Sequence, residues 1–164
     1  GKPTEEAKAA HLFNIEAYIP ANYAEKKDKI ELYQDIESAK TISALKKVIE
    51  RMRDIYGRIP REVDALIRQK RIDLLSNGKS FSGIIELSEE IIIELSRDFS
   101  SINGIGNSLF EKITPYLAKV KVSYIQRTLK IRMRKTGEWI NDLEEVLMII
   151  TELYNDSVKT HKGL

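Results

Sequence analysis

The run Asn77-Gly78-Lys79-Ser80 is the part of the sequence that comes nearest to a phosphate-binding loop. Such a loop needs the pattern Gly-x-x-x-x-Gly-Lys-Ser/Thr, because successive backbone N–H groups and the lysine must converge on one anion. Asp73 stands where the first glycine of that pattern belongs, and the residues before the run have the spacing of a helix rather than a strand. The sequence therefore predicts an exposed turn here and no nucleotide site.

Residues that could break a covalent bond or hold a metal ion are few. The chain has no cysteine, and its two histidines, His11 and His161, lie near opposite ends. The adjacent carboxylates at 89–90 and 144–145 point in different directions, so neither pair converges on one substrate atom, and we expect both pairs to be solvated. The sequence predicts no catalytic residue, no metal site and no cofactor in this chain.

A glycine turn supports an alternative function, a contact with DNA. Residues 102–106, Ile-Asn-Gly-Ile-Gly, are similar to the hairpin of helix-hairpin-helix modules, whose exposed N–H groups grip a phosphate. Gly104 and Gly106 are the candidate DNA-binding residues of this turn, and Arg132 and Arg134 on a basic strand would add to them. The alternative for residues 102–106 is an ordinary glycine turn, because the residues before it, 98–101, are expected to form a loop and not the helix that such a module needs. The alternative for the two arginines is the solvated face of a strand.

Composition limits the classes of protein to which the chain can belong. Its 164 residues fit one domain or two small ones packed together. Apolar residues make up 42%, so a core can be buried, and the net charge of +2 is far from the field of a nucleic-acid wrapper. We expect a cytoplasmic protein without a membrane partner, since no apolar run reaches about 18 residues. The polar start at Gly1 leads us to expect a piece of a longer protein.

The first half of the chain has mainly helical spacing. A short apolar run at 12–19, ended by Pro20, predicts a leading strand. The apolar stripe within 23–39 predicts an amphipathic helix that follows it.

Two further helices are marked by their ends. Thr41 is the expected cap of a helix whose apolar stripe runs from Ile42 to Ile55. Gly57 is expected to end that helix in the left-handed conformation, and Pro60 suits the first turn of the next helix.

The cluster at 76–80 separates this helical part from a part rich in β-branched residues, so we predict two subregions, 1–75 and 76–164, of one domain. In the second subregion, the pattern of residues 83–95 predicts a hairpin, and a buried helix is the alternative for residues 91–95. Further predicted elements are a helix at 109–117, strands at 120–124 and 129–134, and a long helix at 139–158. The predicted fold class is α+β, in which N-terminal helices pack with a small, largely antiparallel sheet and a long C-terminal helix.

The motifs of the first half resemble those of a known family. Residues 15–20 (Ile-Glu-Ala-Tyr-Ile-Pro), 29–33 (Lys-Ile-Glu-Leu-Tyr) and 53–60 (Arg-Asp-Ile-Tyr-Gly-Arg-Ile-Pro) follow one another as they do in the C-terminal domain of bacterial transcription-repair coupling factors, the Mfd family. The hairpin at 83–95 also looks like the family's Gly-Ile strand and its partner.

The resemblance implies a regulatory domain rather than an enzyme. The parent protein of such a domain is an ATP-dependent DNA translocase that displaces stalled RNA polymerase and recruits UvrA for nucleotide-excision repair. ATP and Mg would belong to the parent's motor. The domain would dock on the UvrB-like module of the same chain, where it would mask the surface that UvrA binds.

The same resemblance assigns roles to particular residues. Asp54 matches a family acid that faces basic residues of the UvrB-like module. A second family acid falls on Arg51, with Glu50 beside it, so Asp54 and Glu50 are the candidate partner-binding residues. The residues interpreted as builders of the fold are Tyr18, Pro20, Tyr33, Gly57 and Pro60.

Overall fold

The computed structural model describes residues 18–24 and 26–162. The chain divides into two compact units, one within 1–74 and the other within 75–164. The predicted leading strand at 12–19 lies mostly outside the described residues, and Tyr18, Ile19 and Pro20 belong to no regular element. In the described ranges no helix is long and apolar enough to cross a membrane.

Three helices build the first unit, called here the helical unit. They are α1 (Lys26–Ser38), α2 (Ile42–Tyr56) and α3 (Arg61–Ser76), the last two residues of which fall in the second unit. Because their apolar residues recur every three or four positions, each helix buries one face. The buried side chains form a single core, which contains Ile19, Ala24, Leu32, Ile36, Ala39, Leu45, Val48, Ile49, Met52, Val63 and Ile67.

The ends of α2 are fixed by a polar cap and a glycine. The Ala44 N–H donates to the Thr41 hydroxyl oxygen at 3.0 Å, which confirms the predicted cap. Gly57 closes the last turn with φ +79° and ψ −139°, which is outside the left-handed helical conformation that the sequence predicts. Pro60 lies one residue before α3, where its carbonyl accepts the first helical hydrogen bond from Asp64 at 2.9 Å.

A four-stranded antiparallel sheet forms the second unit, called here the sheet unit. Its strands are β1 (Phe81–Glu86), β2 (Glu90–Leu95), β3 (Val120–Ile125) and β4 (Thr128–Arg134), in the spatial order β1-β2-β4-β3. Residues 91–95 therefore form a central strand, and the helix considered for them is wrong. The arrangement confirms the α+β fold class.

The remaining elements of the sheet unit are α4 (Arg97–Ser100), α5 (Ile105–Lys112), a 3₁₀ turn (Thr114–Tyr116) and α6 (Trp139–Lys162).

The loop predicted at 98–101 is wrong. The Phe99 N–H donates to the hydroxyl oxygen of Ser96 at 3.1 Å, so this serine caps a short helix, and the Phe99 ring is fully buried. The helix predicted at 109–117 begins earlier, and Pro115 lies in the 3₁₀ turn after it.

The sheet has one apolar face and one charged face. On β4 the side chains of Leu129, Ile131 and Met133 are buried, whereas the basic residues between them reach the other face, which confirms the predicted alternation. The fully buried side chains of α6, which contacts β4, add to the apolar side, and they are Leu143, Val146, Leu147 and Ile150.

Candidate functional site

Two carboxylates lie one helical turn apart on the exposed face of α2. Glu50 and Asp54 are both exposed, and neither makes a hydrogen bond or an ion pair with any residue that the structure describes. Residues four apart on a helix are neighbours, so the two negative charges form one surface, called here the α2 acidic surface. Each of these two carboxylates can accept an ion pair from a cationic group of a partner.

The buried side of α2 fixes the direction in which these acids point. Leu45, Val48, Ile49 and Met52 are buried in the core of the helical unit. Rotation of the helix by even part of a turn would bring apolar side chains into water, at about 25 cal/mol per Å². Glu50 and Asp54 are therefore held outward by the packing on the opposite side of the helix.

Arg51, which stands where the family resemblance puts a second acid, is engaged inside the helical unit. Its guanidinium lies 2.6 Å from the carboxylate of Asp35 on α1. The two side chains are 53% and 28% exposed, so the pair lies at the surface and contributes at most about 1 kcal/mol. The positive charge of Arg51 is thus paired with Asp35 on α1.

Asp54 occupies an electrostatically unfavourable place. It lies in the last turn of α2, where the free carbonyl groups carry the negative end of the helix dipole. A carboxylate there costs about 0.3 to 1 kcal/mol, and no cation among the described residues pairs with it. The domain does not need this charge for its own stability.

Ile55 exposes an apolar side chain in the same last turn of α2 as Asp54. It is 62% exposed, whereas the sequence assigns it, with Ile42, to the buried stripe of the helix. That assignment is wrong because the two residues lie in the end turns of α2, away from the centre of the buried face. The exposure of Ile42 and Ile55 could have been predicted from their positions in the first and last turns of the helix.

Tyrosines tie the segment before α1 to the helices. The Ile19 N–H donates to the Tyr33 hydroxyl oxygen at 2.8 Å, and the Tyr23 N–H closes a turn onto the Pro20 carbonyl at 3.1 Å. The rings of Tyr23 and Tyr56 pack with centroids 5.2 Å apart. Burial raises the pKa of Tyr23, and the neighbouring Tyr56 adds a smaller increase.

The residues interpreted as builders of the fold therefore differ in what they contact. Pro20 and Tyr33 take part in these hydrogen bonds, and Gly57 and Pro60 lie at the ends of α2 and α3. Tyr18 is 42% exposed.

The residues of the alternative DNA site fall into two groups. Gly104 has φ +75° and ψ 6° and begins α5, with Gly106 in its first turn, and the short helix α4 precedes them. Arg132 and Arg134 project from the face of β4 opposite its buried residues, away from the apolar side on which α6 packs. The structure does not bring the glycines and the arginines together on one surface.

Two carboxylates on α6 behave differently from the sequence expectation. Glu144 is only 9% exposed, and Glu145 accepts a hydrogen bond from the Tyr116 hydroxyl, so neither is simply solvated. That hydrogen bond, more than burial, raises the pKa of Tyr116 to about 12. Within the described part of the chain no three His, Cys, Asp or Glu residues are grouped in a way that could hold a metal ion.

A comparison with family models extends over more than half of the chain. The model described as the TRCF domain matches residues 13–103, which include α2 and its acidic surface. The chain belongs to the TRCF domain family. This TRCF domain thus carries Glu50, Asp54 and the Gly57 turn inside the part that the family shares.

Similar curated proteins have the same family name. The chain is 25% identical over 171 residues to the transcription-repair-coupling factor of Bacillus subtilis (strain 168), covering 96% of this chain and 14% of that protein. It is 26% identical over 141 residues to the Staphylococcus epidermidis protein of that name, covering 85% and 12%. The chain thus spans about one seventh to one eighth of the length of these relatives.

A solved structure has the same fold. The crystal structure of the C-terminal domain of a transcription-repair coupling factor matches with a TM-score of 0.67, covering 91% of this chain and 92% of that one. The sequence identity is 16%, so this likeness concerns the fold of the TRCF domain.

Proposed function

We propose that this TRCF domain is a regulatory part of a longer transcription-repair coupling factor and acts by docking on the UvrB-like module of the same protein. The α2 acidic surface is the part that docks, and basic residues of the module face it. While docked, the domain masks the surface that UvrA binds. It catalyses no reaction itself.

The observation that carries this proposal is the state of Glu50 and Asp54. Both are exposed, neither has a partner in the described chain, and Asp54 lies at the unfavourable end of its helix. Ile55, in the same helical turn as Asp54, supplies an exposed apolar side chain. Unsatisfied charge next to an exposed apolar side chain is what a small interface with a polar rim requires.

A contact of this size is weak enough to be reversible. Each exposed ion pair contributes about 0.2 to 1 kcal/mol and is screened by salt. Charge complementarity in such a contact increases the specificity and the association rate more than it increases the affinity. The parent protein, an ATP-dependent DNA translocase that uses Mg, would release the domain when it engages stalled RNA polymerase on DNA.

Binding of the 164-residue chain to the separately expressed UvrB-like module tests the proposal. Isothermal titration at 50 mM and 300 mM salt should show affinity that falls as salt rises. The double variant Glu50→Gln/Asp54→Asn should bind at least about fivefold more weakly at low salt. Glu31→Gln, which removes an exposed acid from α1, is the matched control and should bind like the unmodified chain.

The intact coupling factor provides the second part of the test. Asp54→Lys in that protein should raise both UvrA binding and the rate of ATP hydrolysis, because the domain leaves its docking face. If neither quantity changes, or the isolated chain does not bind the module even at low salt, the proposal is wrong.

A DNA contact is the second candidate function, and α4 favours it. A short helix before the glycine turn is what a helix-hairpin-helix module needs, and Gly104 has the left-handed conformation of a tight turn. Titration with a DNA duplex at the same two salt concentrations tests this candidate. DNA affinity that falls steeply as salt rises, together with loss of DNA binding in Gly106→Asp, would support this candidate. Absence of DNA binding at 50 mM salt would exclude it.

A further inference from the structure

The outer edge of β3 is a row of free backbone groups. The Arg134 N–H donates to the Lys119 carbonyl at 2.9 Å, and hydrogen-bonded pairs recur at every second residue of an antiparallel ladder. Lys121, Ser123 and Ile125 therefore bond to β4. The residues between them, Val120, Val122 and Tyr124, direct their N–H and C=O groups away from the sheet, where no described strand pairs with them.

The other edge of the sheet is protected. The register of β1 shifts between Phe81 and Gly83, and the Ser82 hydroxyl donates to the Glu94 carbonyl at 3.3 Å. Bulges of this kind prevent further strands from pairing with an edge. β3 pairs with β4 from end to end without any shift, so its edge remains regular and open.

Large apolar side chains are exposed at the end of β3. Tyr124 is 61% exposed and Ile125 is 57% exposed. They precede a two-residue turn in which Gln126 and Arg127 have φ of +54° and +68°, a conformation that costs residues other than glycine about 1 to 3 kcal/mol each. An edge strand with exposed apolar residues invites pairing unless a partner covers it.

Positive charge collects at the opposite end of β3. A groove of about 300 Å³ is lined by four basic residues, Lys119, Lys121, Arg132 and Arg134, and by one acid, Glu90. Lys119 is held by an ion pair with a carboxylate on α6 at 2.6 Å. Arg132 lies 3.7 Å from Glu90, and the guanidinium of Arg134 donates to a backbone carbonyl.

Lys121 is the cation of the groove that is free to bind. It is exposed, and no hydrogen bond or ion pair joins it to a described residue. The neighbouring Arg132 and Arg134 keep part of their five donors available, because each guanidinium can serve more than one acceptor. The groove thus favours acidic groups.

We propose that the open edge of β3 binds an extended peptide segment of a partner protein as a fifth strand of the sheet. Acidic side chains of the segment lie over Lys121 and the groove, and its apolar side chains contact Tyr124 and Ile125. Main-chain hydrogen bonds to Val120, Val122 and Tyr124 provide the pairing.

The charges favour a peptide over a nucleic acid. Glu94 lies beside Lys130 on the same face of the sheet and outside the groove, so a continuous row of phosphates that ran past the groove would meet repulsion there. A peptide with acids at one end avoids this and also satisfies the free N–H groups. The site belongs to the sheet unit, so its occupation does not depend on the α2 acidic surface.

The first experiment follows amide exchange in the 164-residue chain by NMR. The probe is the end-blocked peptide Asp-Glu-Asp-Glu-Thr-Val-Thr-Val-Thr-Val. Saturating peptide should slow exchange at Val122 and Tyr124 by about tenfold or more, because their N–H groups gain acceptors. Ser123 and Ile125, already bonded to β4, should change by less than about twofold. This alternation along one strand is specific to the addition of a strand.

Two variants and one control test the contacts. Val122→Pro removes an N–H that β4 does not use, so the sheet should still form while peptide affinity falls by about tenfold or more. Lys121→Glu should cause a similar loss. Lys112→Glu reverses an exposed charge on α5 and should leave the affinity within about twofold.

Four results of the binding and exchange experiments would overturn the proposal. They are no binding of the acidic peptide, protection without the alternation, equal binding of a version with lysine at the four acidic positions, and binding of a single-stranded oligonucleotide in place of the peptide. Formation of a dimer through β3 without peptide, detected by analytical ultracentrifugation, would instead identify a second copy of the chain as the occupant. It would likewise overturn the proposal.

Discussion

The guanidinium of Arg51 on α2 lies 2.6 Å from the carboxylate of Asp35 on α1. This contact joins two helices at the surface of the helical unit and keeps the positive charge of Arg51 turned toward α1. Glu50, which precedes Arg51 in the sequence, is left without a cation of its own among the described residues. Arg51 is thus paired within the helical unit, whereas the acids that we propose for docking have no ion-pair partner among the described residues.

Asp54→Asn should affect stability and docking in opposite directions. Removal of a carboxylate from the last turn of α2 should raise the free energy of unfolding by about 0.3 to 1 kcal/mol at low salt. The same change should weaken binding to the UvrB-like module by up to about fivefold. Urea unfolding and calorimetric titration measure the two quantities.

Glu31→Gln is the control for this variant, since it removes an exposed acid from a helix interior. It should change neither quantity by more than the error of measurement. A variant of Asp54 that loses stability would show that the carboxylate serves the fold, and our account of its role would then fail.

Arg51→Glu should destabilise the helical unit. The new carboxylate would face Asp35 and lie next to Glu50, and the lost ion pair together with the repulsion should cost about 1 kcal/mol at low ionic strength. The additional change Asp35→Lys should restore most of the loss, because it returns an opposite charge to the same contact. Urea unfolding of the single and double variants at 50 mM and 500 mM salt measures the coupling.

High salt provides the check on this interpretation. The effect of Arg51→Glu should shrink at 500 mM salt, since exposed charges are then screened. A loss that is independent of salt, or that Asp35→Lys does not restore, would mean that Arg51 acts through packing of its side chain and not through its charge.

Local signals in the sequence were enough to predict most elements of this fold. Thr41 and Gly57 mark the ends of α2 because capping is a local interaction, and the alternation at 129–134 gave β4 directly. The short helix α4 was missed because its cap, Ser96, follows a strand closely and the helix has only four residues. Its stability depends on burial of Phe99, which is a tertiary effect.

The candidate site was less accessible from the sequence than the fold. The exposure of Glu50 and Asp54 follows from the helical pattern, but the engagement of Arg51 by Asp35 joins residues 16 positions apart. The open edge of β3 depends on the strand order of the sheet, which no local pattern reveals. The turn at Gln126 and Arg127 lacks the glycine or asparagine that usually marks a tight hairpin.

Tyr116 should titrate later than an ordinary tyrosine. The hydrogen bond to Glu145, with a smaller contribution from burial, raises its pKa from 10.0 to about 12. The protonated phenol is the form that the fold favours, so its contribution to stability is complete below pH 10 and is lost as the pH rises from 10 toward 12. The difference in tyrosinate absorbance between the unmodified chain and Tyr116→Phe should rise near pH 12.

Tyr124→Phe, which removes an exposed phenol at the end of β3, is the matched control for Tyr116→Phe. The free energy of unfolding should differ between Tyr116→Phe and the unmodified chain by a constant amount from pH 8 to about pH 10 and by less above it. A difference spectrum for Tyr116 that rises near pH 10 would contradict the hydrogen bond to Glu145.

Gly57 and Gly104 should respond differently to asparagine. A Cβ added at either position meets no atom within 4 Å, so only backbone conformation can make a substitution costly. Gly104 has φ +75° and ψ 6°, the left-handed helical conformation that asparagine tolerates, whereas the ψ of −139° at Gly57 suits glycine alone. Gly104→Asn should therefore cost less than Gly104→Ala, by about 0.5 to 1 kcal/mol, whereas Gly57→Asn and Gly57→Ala should both cost about 1 to 3 kcal/mol.

Urea unfolding of these four variants tests the backbone at the end of α2 and at the start of α5 directly. Gly106→Ala, in the first turn of α5 and also with no atom near its Cβ, is the control and should stabilise the chain by about 0.4 to 1 kcal/mol, because alanine restricts the unfolded chain. If asparagine at Gly57 recovers the loss seen with alanine, the end of α2 has the left-handed cap that the sequence predicts. The turn that follows Asp54 would then lack the ψ of −139° at Gly57, and the α2 acidic surface would lie differently relative to α3.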